Sequence, residues 1–390
     1  MKKTKLVAIV LAVISILSPL CMADGAYTTP EQMKAAEANA AFPEMSAESY
    51  VVMDSKTGEV LFSKDSDKML PIASTTKMMT ALVVVEKIKD LDSRVTVDPE
   101  SCGIEGSSVN LYRGEEISVK DLLYALMLES ANDAAVCLAK YTAGSVEAFA
   151  DLMNERASKI GMTNSHFANP HGLEDEEHYS TAYDMAKLYQ EAMKYDVIRK
   201  IVSTKTYKME LDEKDSYRFL SNHNKLLKTY EPCVGGKTGF TKAAGRCLVT
   251  VCEKNGVELI TVTLNDPNDW QDHESIVEYS FSLYSQVRLA EEGEIKVSIP
   301  VVGGVENSVT LSNKESLELS VKDVSKITSR VEAPHFLYAP VEASGKAGGK
   351  VTFYYDGKEI ARLDLYSDNS VQIKSEKKGF FKRLWQWIFG

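Results

Sequence analysis

The segment from Met78 to Ile88 carries apolar side chains on nearly every side of a helical projection. A helix without a polar face must be covered all round, so it belongs in a core that other elements close over. The chain has the length for this: 390 residues exceed one small core and point to two or more domains. Before this segment, Tyr50–Met53 and Glu59–Ser63 read as strands joined by the polar turn Asp54-Ser55-Lys56-Thr57-Gly58. After it, Ser118 is a good N-cap, with Asp121 three residues on and an apolar run behind. Further helices are expected from about Asn132 to Tyr141, stopping near Gly144, and from Ser145 to Gly161. Arg246–Cys252 and Leu259–Leu264 are strand-like, and Asp272–Leu289 reads as a closing helix. Residues 27–41 are helix-compatible.

From about Ile295 the period changes to two. Val297–Val301 and Leu317–Val321 alternate, and Val351–Tyr355 and Ile360–Tyr366 flank the hairpin pair Asp356-Gly357. This is the pattern of a small all-β domain.

The ends differ from the body. Lys2, Lys3 and Lys5 precede an apolar run from Leu6 to Leu17, and small residues follow at Ala23, Gly25 and Ala26. That is the layout of a secretory signal, expected over residues 1–25, and the run is short for a membrane span. At the other end, Phe380, Phe381, Leu384, Trp385, Trp387 and Ile388 share one helical face, with Lys378, Lys382, Arg383 and Gln386 opposite. A helix of that kind lies in a membrane interface, so residues 374–390 are expected to bind a membrane surface. The formal net charge is −11 and the body has no basic stripe, which argues against a nucleic-acid partner.

Without the signal, the cysteines are Cys102, Cys137, Cys233, Cys247 and Cys252. An odd number cannot all pair within one chain. Cys247 and Cys252 lie five apart in a strand-like run, so they face opposite ways. Buried free thiols are the expectation.

Three short motifs stand in order: Ser74-Thr75-Thr76-Lys77, Ser130-Ala131-Asn132 and Lys237-Thr238-Gly239. Each alone also reads as ordinary structure: a cap with a surface lysine, a second cap, a basic glycine-rich turn. Together their residue types suit one reaction. A serine hydroxyl becomes a nucleophile when a nearby base takes its proton. Ser74 and Lys77, three apart, share a helix face, and the apolar neighbourhood lowers a lysine pKa until the amine can be that base. Ser130 and Asn132 fall in a break between two helices, where a hydroxyl and an amide can reach a cleft. Lys237 and Thr238 offer a cation and a hydroxyl at a strand edge, suited to a substrate carboxylate, and Gly239 lets a peptide backbone approach.

This order of motifs resembles the penicillin-recognising serine enzymes. The longer strings Pro71-Ile72-Ala73-Ser74-Thr75-Thr76-Lys77-Met78-Met79-Thr80, Glu129-Ser130-Ala131-Asn132-Asp133-Ala134, Phe167-Ala168-Asn169-Pro170-His171-Gly172-Leu173 and Gly236-Lys237-Thr238-Gly239-Phe240-Thr241 are similar to the low-molecular-weight D-Ala-D-Ala carboxypeptidases, peptidase family S11. The resemblance spans about residues 40–290.

It implies an α+β fold: a transpeptidase-like domain over 26–292, with a five-stranded antiparallel sheet flanked by helices. A β-sandwich over 293–372 and the amphipathic segment 373–390 would follow. It also implies roles. Ser74 would form the acyl-enzyme with Lys77 as base, and Ser130 would relay a proton with help from Lys237. Asn132 would hold the substrate amide, and Lys237 and Thr238 the terminal carboxylate, beside Gly239. Backbone N–H groups of Ser74 and Phe240 would form the oxyanion hole. The implied partners are the D-Ala-D-Ala end of peptidoglycan pentapeptides and covalent β-lactams, with no metal or organic cofactor, at the outer face of the cytoplasmic membrane.

Three other readings stand beside this one. A class A β-lactamase shares the motifs but needs a deacylating glutamate, and no Glu-x-x-Leu-Asn string follows Ser130. A zinc peptidase would draw on His166, His171 and Asp175, without a His-Glu-x-x-His string. A non-catalytic wall-binding protein would have no use for the Ser74–Lys77 pair.

Overall fold

The structure is a computed structural model that describes residues 41–211 and 216–374. The expected signal, the helix-compatible stretch before residue 41 and the amphipathic tail lie outside the described residues. Two compact units divide between Leu283 and Tyr284.

In the first unit, β1 (Ser49–Asp54) and β2 (Val60–Lys64) form the expected hairpin. α1 (Lys77–Lys87) follows a 3-10 turn over Ala73–Thr76, and its residues from Lys77 to Val84 are all buried. β3 (Arg94–Thr96) and β4 (Glu116–Ser118) pair as a short ribbon. α2 (Val119–Leu128) starts where Ser118 accepts from the Asp121 N–H. α3 (Asn132–Ala143) ends at Gly144 in the left-handed region, and α4 (Val146–Ile160) runs between its Ser145 cap and Gly161.

Next come α5 (Ala182–Ala192), α6 (Asp196–Ser203), the hairpin β5 (Thr206–Glu210) and β6 (Tyr217–Ser221), and the short α7 (Leu226–Thr229). β7 (Cys233–Thr241), β8 (Gly245–Lys254), β9 (Val257–Leu264) and α8 (Asp269–Ser282) complete the unit. The strand order is β2-β1-β9-β8-β7, antiparallel throughout, so the five-stranded sheet is present and β7 is an edge. Helix α1 packs in the core with residues of α2, α3, α5 and the sheet, the burial its apolar circumference requires.

One element differs from the expectation. The closing helix ends at Ser282, and Ser285–Ala290 is strand β10, paired with β13 (Leu317–Val321). No Gly or Pro interrupts 272–289, so the run looks helical locally. Its Val287 and Leu289 are buried at period two, and the partner strand lies far along the chain, where local propensity cannot register it.

Strand β10 thus belongs to the second unit. There β11 (Lys296–Val302), β12 (Ser308–Asn313), β14 (Ile327–Glu332), β15 (Leu337–Tyr338), β16 (Gly349–Tyr355) and β17 (Lys358–Ser367) form one six-stranded sheet. It shares a core with the β10–β13 pair through Val287, Leu289, Leu311, Phe353 and Leu365. The unit is all-β, as expected.

Candidate active site

Ser74 lies in the 3-10 turn that opens α1, one turn ahead of Lys77. Ala73 before it has φ 46°, a left-handed conformation that Ala rarely adopts, so this turn is held by its surroundings. Ser74 is half-buried, whereas Lys77 is fully buried. Lys77 Nζ lies 2.8 Å from Ser74 Oγ, 2.7 Å from Asn132 Oδ1 and 2.7 Å from the His171 carbonyl. Asn132 is turned the right way for this because its Nδ2 donates to the Glu105 carbonyl at 2.6 Å.

Burial pushes the Lys77 amine well below the ordinary lysine range. The neighbouring Lys237 charge adds to this, and Asp133 opposes it. A neutral amine has two N–H donors and one lone pair. Two of its three neighbours, Asn132 Oδ1 and the His171 oxygen, can only accept. The lone pair is therefore left for the Ser74 hydroxyl, and the contact becomes Ser74 O–H donating to Lys77 Nζ.

Ser130 occupies the break between α2 and α3 with φ 59°. Lys237 Nζ donates to Ser130 Oγ at 3.0 Å and to the Thr238 carbonyl at 2.9 Å. Lys237 is buried, and burial pushes its pKa down to about 7. It sits within β7 and is aimed at Ser130, while the Thr238 side chain remains half-exposed. A Cβ on Gly239 would lie 3.0 Å from the Ser74 nitrogen and 3.1 Å from the Ile72 oxygen. Strand β7 therefore runs with its backbone tight against the nucleophile turn, a close approach that glycine favours. Phe240 follows with its side chain 65 % exposed. The structure thus brings Ser74, Lys77, Ser130, Asn132, Lys237 and Gly239 together, with Thr238 and Phe240 on the same stretch of β7.

Other groups at this site have no chemical signature in sequence. The loop between Ser165 and Ser180 is closed at its base by pairing of His166 with Tyr179, and Leu70 pairs with Ser180. It supplies the His171 carbonyl to Lys77 and the Pro170 carbonyl to Thr80 Oγ1 at 2.6 Å. Gly172, at φ 87°, allows the loop to touch the nucleophile turn: a Cβ there would lie 1.9 Å from the Ala73 oxygen. Buried His178 accepts from the Ala168 N–H at Nδ1, which leaves its proton on Nε2. Nε2 then donates to Thr76 Oγ1 at 2.7 Å, and the Thr76 hydroxyl donates to the Ala73 carbonyl at 2.7 Å. Burial depresses the His178 pKa to about 4, so the ring is neutral at pH 7. The string Asn169-Pro170-His171-Gly172 signalled a turn, but backbone carbonyls as ligands of a lysine leave no trace in residue identity.

His166 and His171 each have a local partner. His166 Nδ1 bonds the Glu177 carbonyl at 2.5 Å, and His171 Nδ1 accepts from the Leu173 N–H.

The family model for D-alanyl-D-alanine carboxypeptidase matches residues 34–268, and that for the penicillin-binding protein 5 C-terminal domain matches 284–372. The D-alanyl-D-alanine carboxypeptidase DacF of Bacillus subtilis is 32 % identical over 350 residues, covering 87 % of this chain and 88 % of the relative. The solved structure of the D-alanyl-D-alanine carboxypeptidase DacD from Francisella tularensis superposes with a TM-score of 0.61 at 27 % identity, covering 89 % of this chain and 98 % of that one. Penicillin-binding protein 5 from Haemophilus influenzae gives 0.61 at 30 % identity, covering 86 % and 100 %.

Proposed function

The chain belongs to the D-alanyl-D-alanine carboxypeptidase family and is a serine-type D-Ala-D-Ala carboxypeptidase of the low-molecular-weight penicillin-binding proteins; from this premise we propose that it cleaves the terminal D-Ala of peptidoglycan stem pentapeptides through an acyl-enzyme on Ser74. The observation that carries this reading is the buried Lys77 amine, with two carbonyl acceptors fixed and its third neighbour the Ser74 hydroxyl.

Lys77 takes the Ser74 proton as Oγ attacks the carbonyl of the penultimate D-Ala. The developing oxyanion lies between the N–H groups of Ser74 and Phe240, which the close approach at Gly239 supports. Asn132 aligns the substrate amide, and Thr238 with the Lys237 charge receives the terminal carboxylate. Ser130, held on Lys237, passes a proton to the departing D-Ala nitrogen. Water then releases the shortened peptide. A β-lactam presents a carboxylate and a strained amide to the same groups and stays on Ser74.

Incubation with a fluorescent penicillin, followed by intact mass and peptide mapping, tests this reading. One adduct on the peptide containing Ser74, absent from Ser74→Ala, is expected. An adduct elsewhere, or none, would sink the acyl-enzyme reading and favour a scaffold. Rapid turnover of the penicillin would favour a lactamase.

The site of action is part of the proposal: an exported enzyme peripherally held on the outer face of the cytoplasmic membrane by residues 374–390. Among the described residues no helix is long and apolar enough to cross a membrane. Where the chain leaves the β unit, Val302, Val305, Phe336, Tyr338 and Ile373 are exposed apolar side chains. Val302 and Tyr338 are register partners, Phe336 packs on Tyr338, and Gly304 bridges Ile373. An apolar tip leading into a basic, aromatic segment suits a lipid interface. Sedimentation with phosphatidylglycerol vesicles should be lost when Lys377, Lys378, Lys382 and Arg383 become Glu. Unchanged binding would contradict the anchor.

A further inference from the structure

Neither Cys233 nor Cys252 takes part in the chemistry above, yet the sheet places them opposite one another. They are register partners across β7 and β8. The Glu253 N–H donates to the Pro232 carbonyl at 2.7 Å, while the Cys233 N–H turns to the Tyr230 carbonyl at 3.0 Å. Cys233 and Cys252 therefore form a non-hydrogen-bonded pair, the closer kind, beside a register shift between Cys233 and Gly235. A disulfide accepts Cα separations of roughly 4.4–6.8 Å. Paired residues point to the same face of a sheet, and the two thiols lie near enough to perturb each other's titration, while the Cys233 thiol itself donates to the Gly235 carbonyl at 3.6 Å. Both are buried, and Asn224 Nδ2 donates to Cys233 Sγ at 3.6 Å. The remaining thiol of β8, Cys247, faces the carbonyls of Pro71 and Ala244 instead.

We propose that Cys233 and Cys252 form a cross-strand disulfide that fastens the first end of β7, the edge strand carrying Lys237, Thr238 and Gly239. The oxidant is a small or protein disulfide of the kind met by exported chains. The Cys233 thiolate attacks one sulfur of that disulfide, giving a mixed disulfide and one released thiol. Cys252 then attacks Cys233 Sγ and expels the second thiol. The two cysteines are oxidised, the incoming disulfide is reduced to two thiols, and the two protons leave on those thiols. The two thiols perturb each other, and the balance of the exchange is the same whichever attacks first. The register opposes the two residues in the folded state.

The test uses the full chain, refolded from denaturant with a mixture of oxidised and reduced glutathione, so that burial in the folded protein does not limit access. The product is denatured without reductant, alkylated with iodoacetamide and weighed intact, then digested. The expected result is two fewer alkylated thiols than in a fully reduced sample, with a linked peptide joining Cys233 to Cys252. Cys252→Ser should abolish the link. The oxidised wild type should also melt at a higher temperature than the reduced one, with no such difference in Cys233→Ser/Cys252→Ser. Full alkylation of the refolded protein, or loss of two thiols to another pair such as Cys102 and Cys137, would overturn the proposal.

Discussion

Protonated, the Lys77 amine has three N–H donors for three neighbours; neutral, it has two, and Asn132 Oδ1 and the His171 carbonyl take both. The same residue is thus a spacer in one state and an aimed base in the other. Which state prevails follows from burial and from Lys237, both of which favour the neutral form. Protonation removes the lone pair, so acylation should fall on the acid side by about tenfold per pH unit below the operative pKa. The second-order rate of penicillin acylation, followed from pH 4 to 10, should show one acid limb well below 10.5, the ordinary lysine value. Lys77→Ala should lower the rate by roughly a thousandfold and remove that limb. A limb that survives in Lys77→Ala would assign the base elsewhere. Ser74 and Lys77 were legible as a pair because three-residue spacing in a helix is a strong geometric statement. The carbonyl that completes the lysine's environment was not, since any residue could supply it.

At the level of elements, the nucleophile turn is strained at Ala73 and held from outside by the loop between Ser165 and Ser180. His178 reaches the turn through Thr76 and the Ala73 carbonyl, so it is a positioning residue that acts through other groups. His178→Phe and Thr76→Val should each lower the acylation rate by roughly tenfold, the order expected for one buried neutral hydrogen bond. They break one chain, so the double variant should be no slower than the slower single one, and His178→Gln, which can still donate to Thr76, should recover part of the rate. Additive losses, or equal melting losses with unchanged acylation, would reduce His178 to a packing role. The helices capped by Ser118, Ser145, Gly144 and Gly161 were legible because caps are local chemistry. Strand β10 was hidden inside a helical-looking run. Its partner strand is distant in sequence.

For the whole molecule, three imidazoles are held neutral: desolvation depresses half-buried His171 to about 3, and buried His178 and His273 to about 4 and about 3. The unfolded chain protonates them near their ordinary value of 6.5. Between that value and the depressed ones the unfolded state binds more protons, so stability falls as pH falls, by up to about 1.4 kcal/mol per unit for each group. Asp266 works the other way. Burial raises it to about 6 from 3.8, so in that narrower window folding takes up a proton and acid favours the native state. Three groups outweigh one, and the melting temperature should drop steadily from pH 6.5 toward 4. His273→Gln should soften the slope, while a flat profile would show that these rings titrate normally in the fold. The two-unit architecture was legible in the change of period near Ile295, because alternation in the second unit has no helical competitor.

Release of free D-alanine from diacetyl-Lys-D-Ala-D-Ala bears most directly on the account. It should be compared for the wild type, Ser74→Ala and Lys77→Ala at neutral pH. Release by the wild type, none by Ser74→Ala and only a trace by Lys77→Ala is the expected result. Undiminished release by Ser74→Ala would contradict the serine acyl-enzyme.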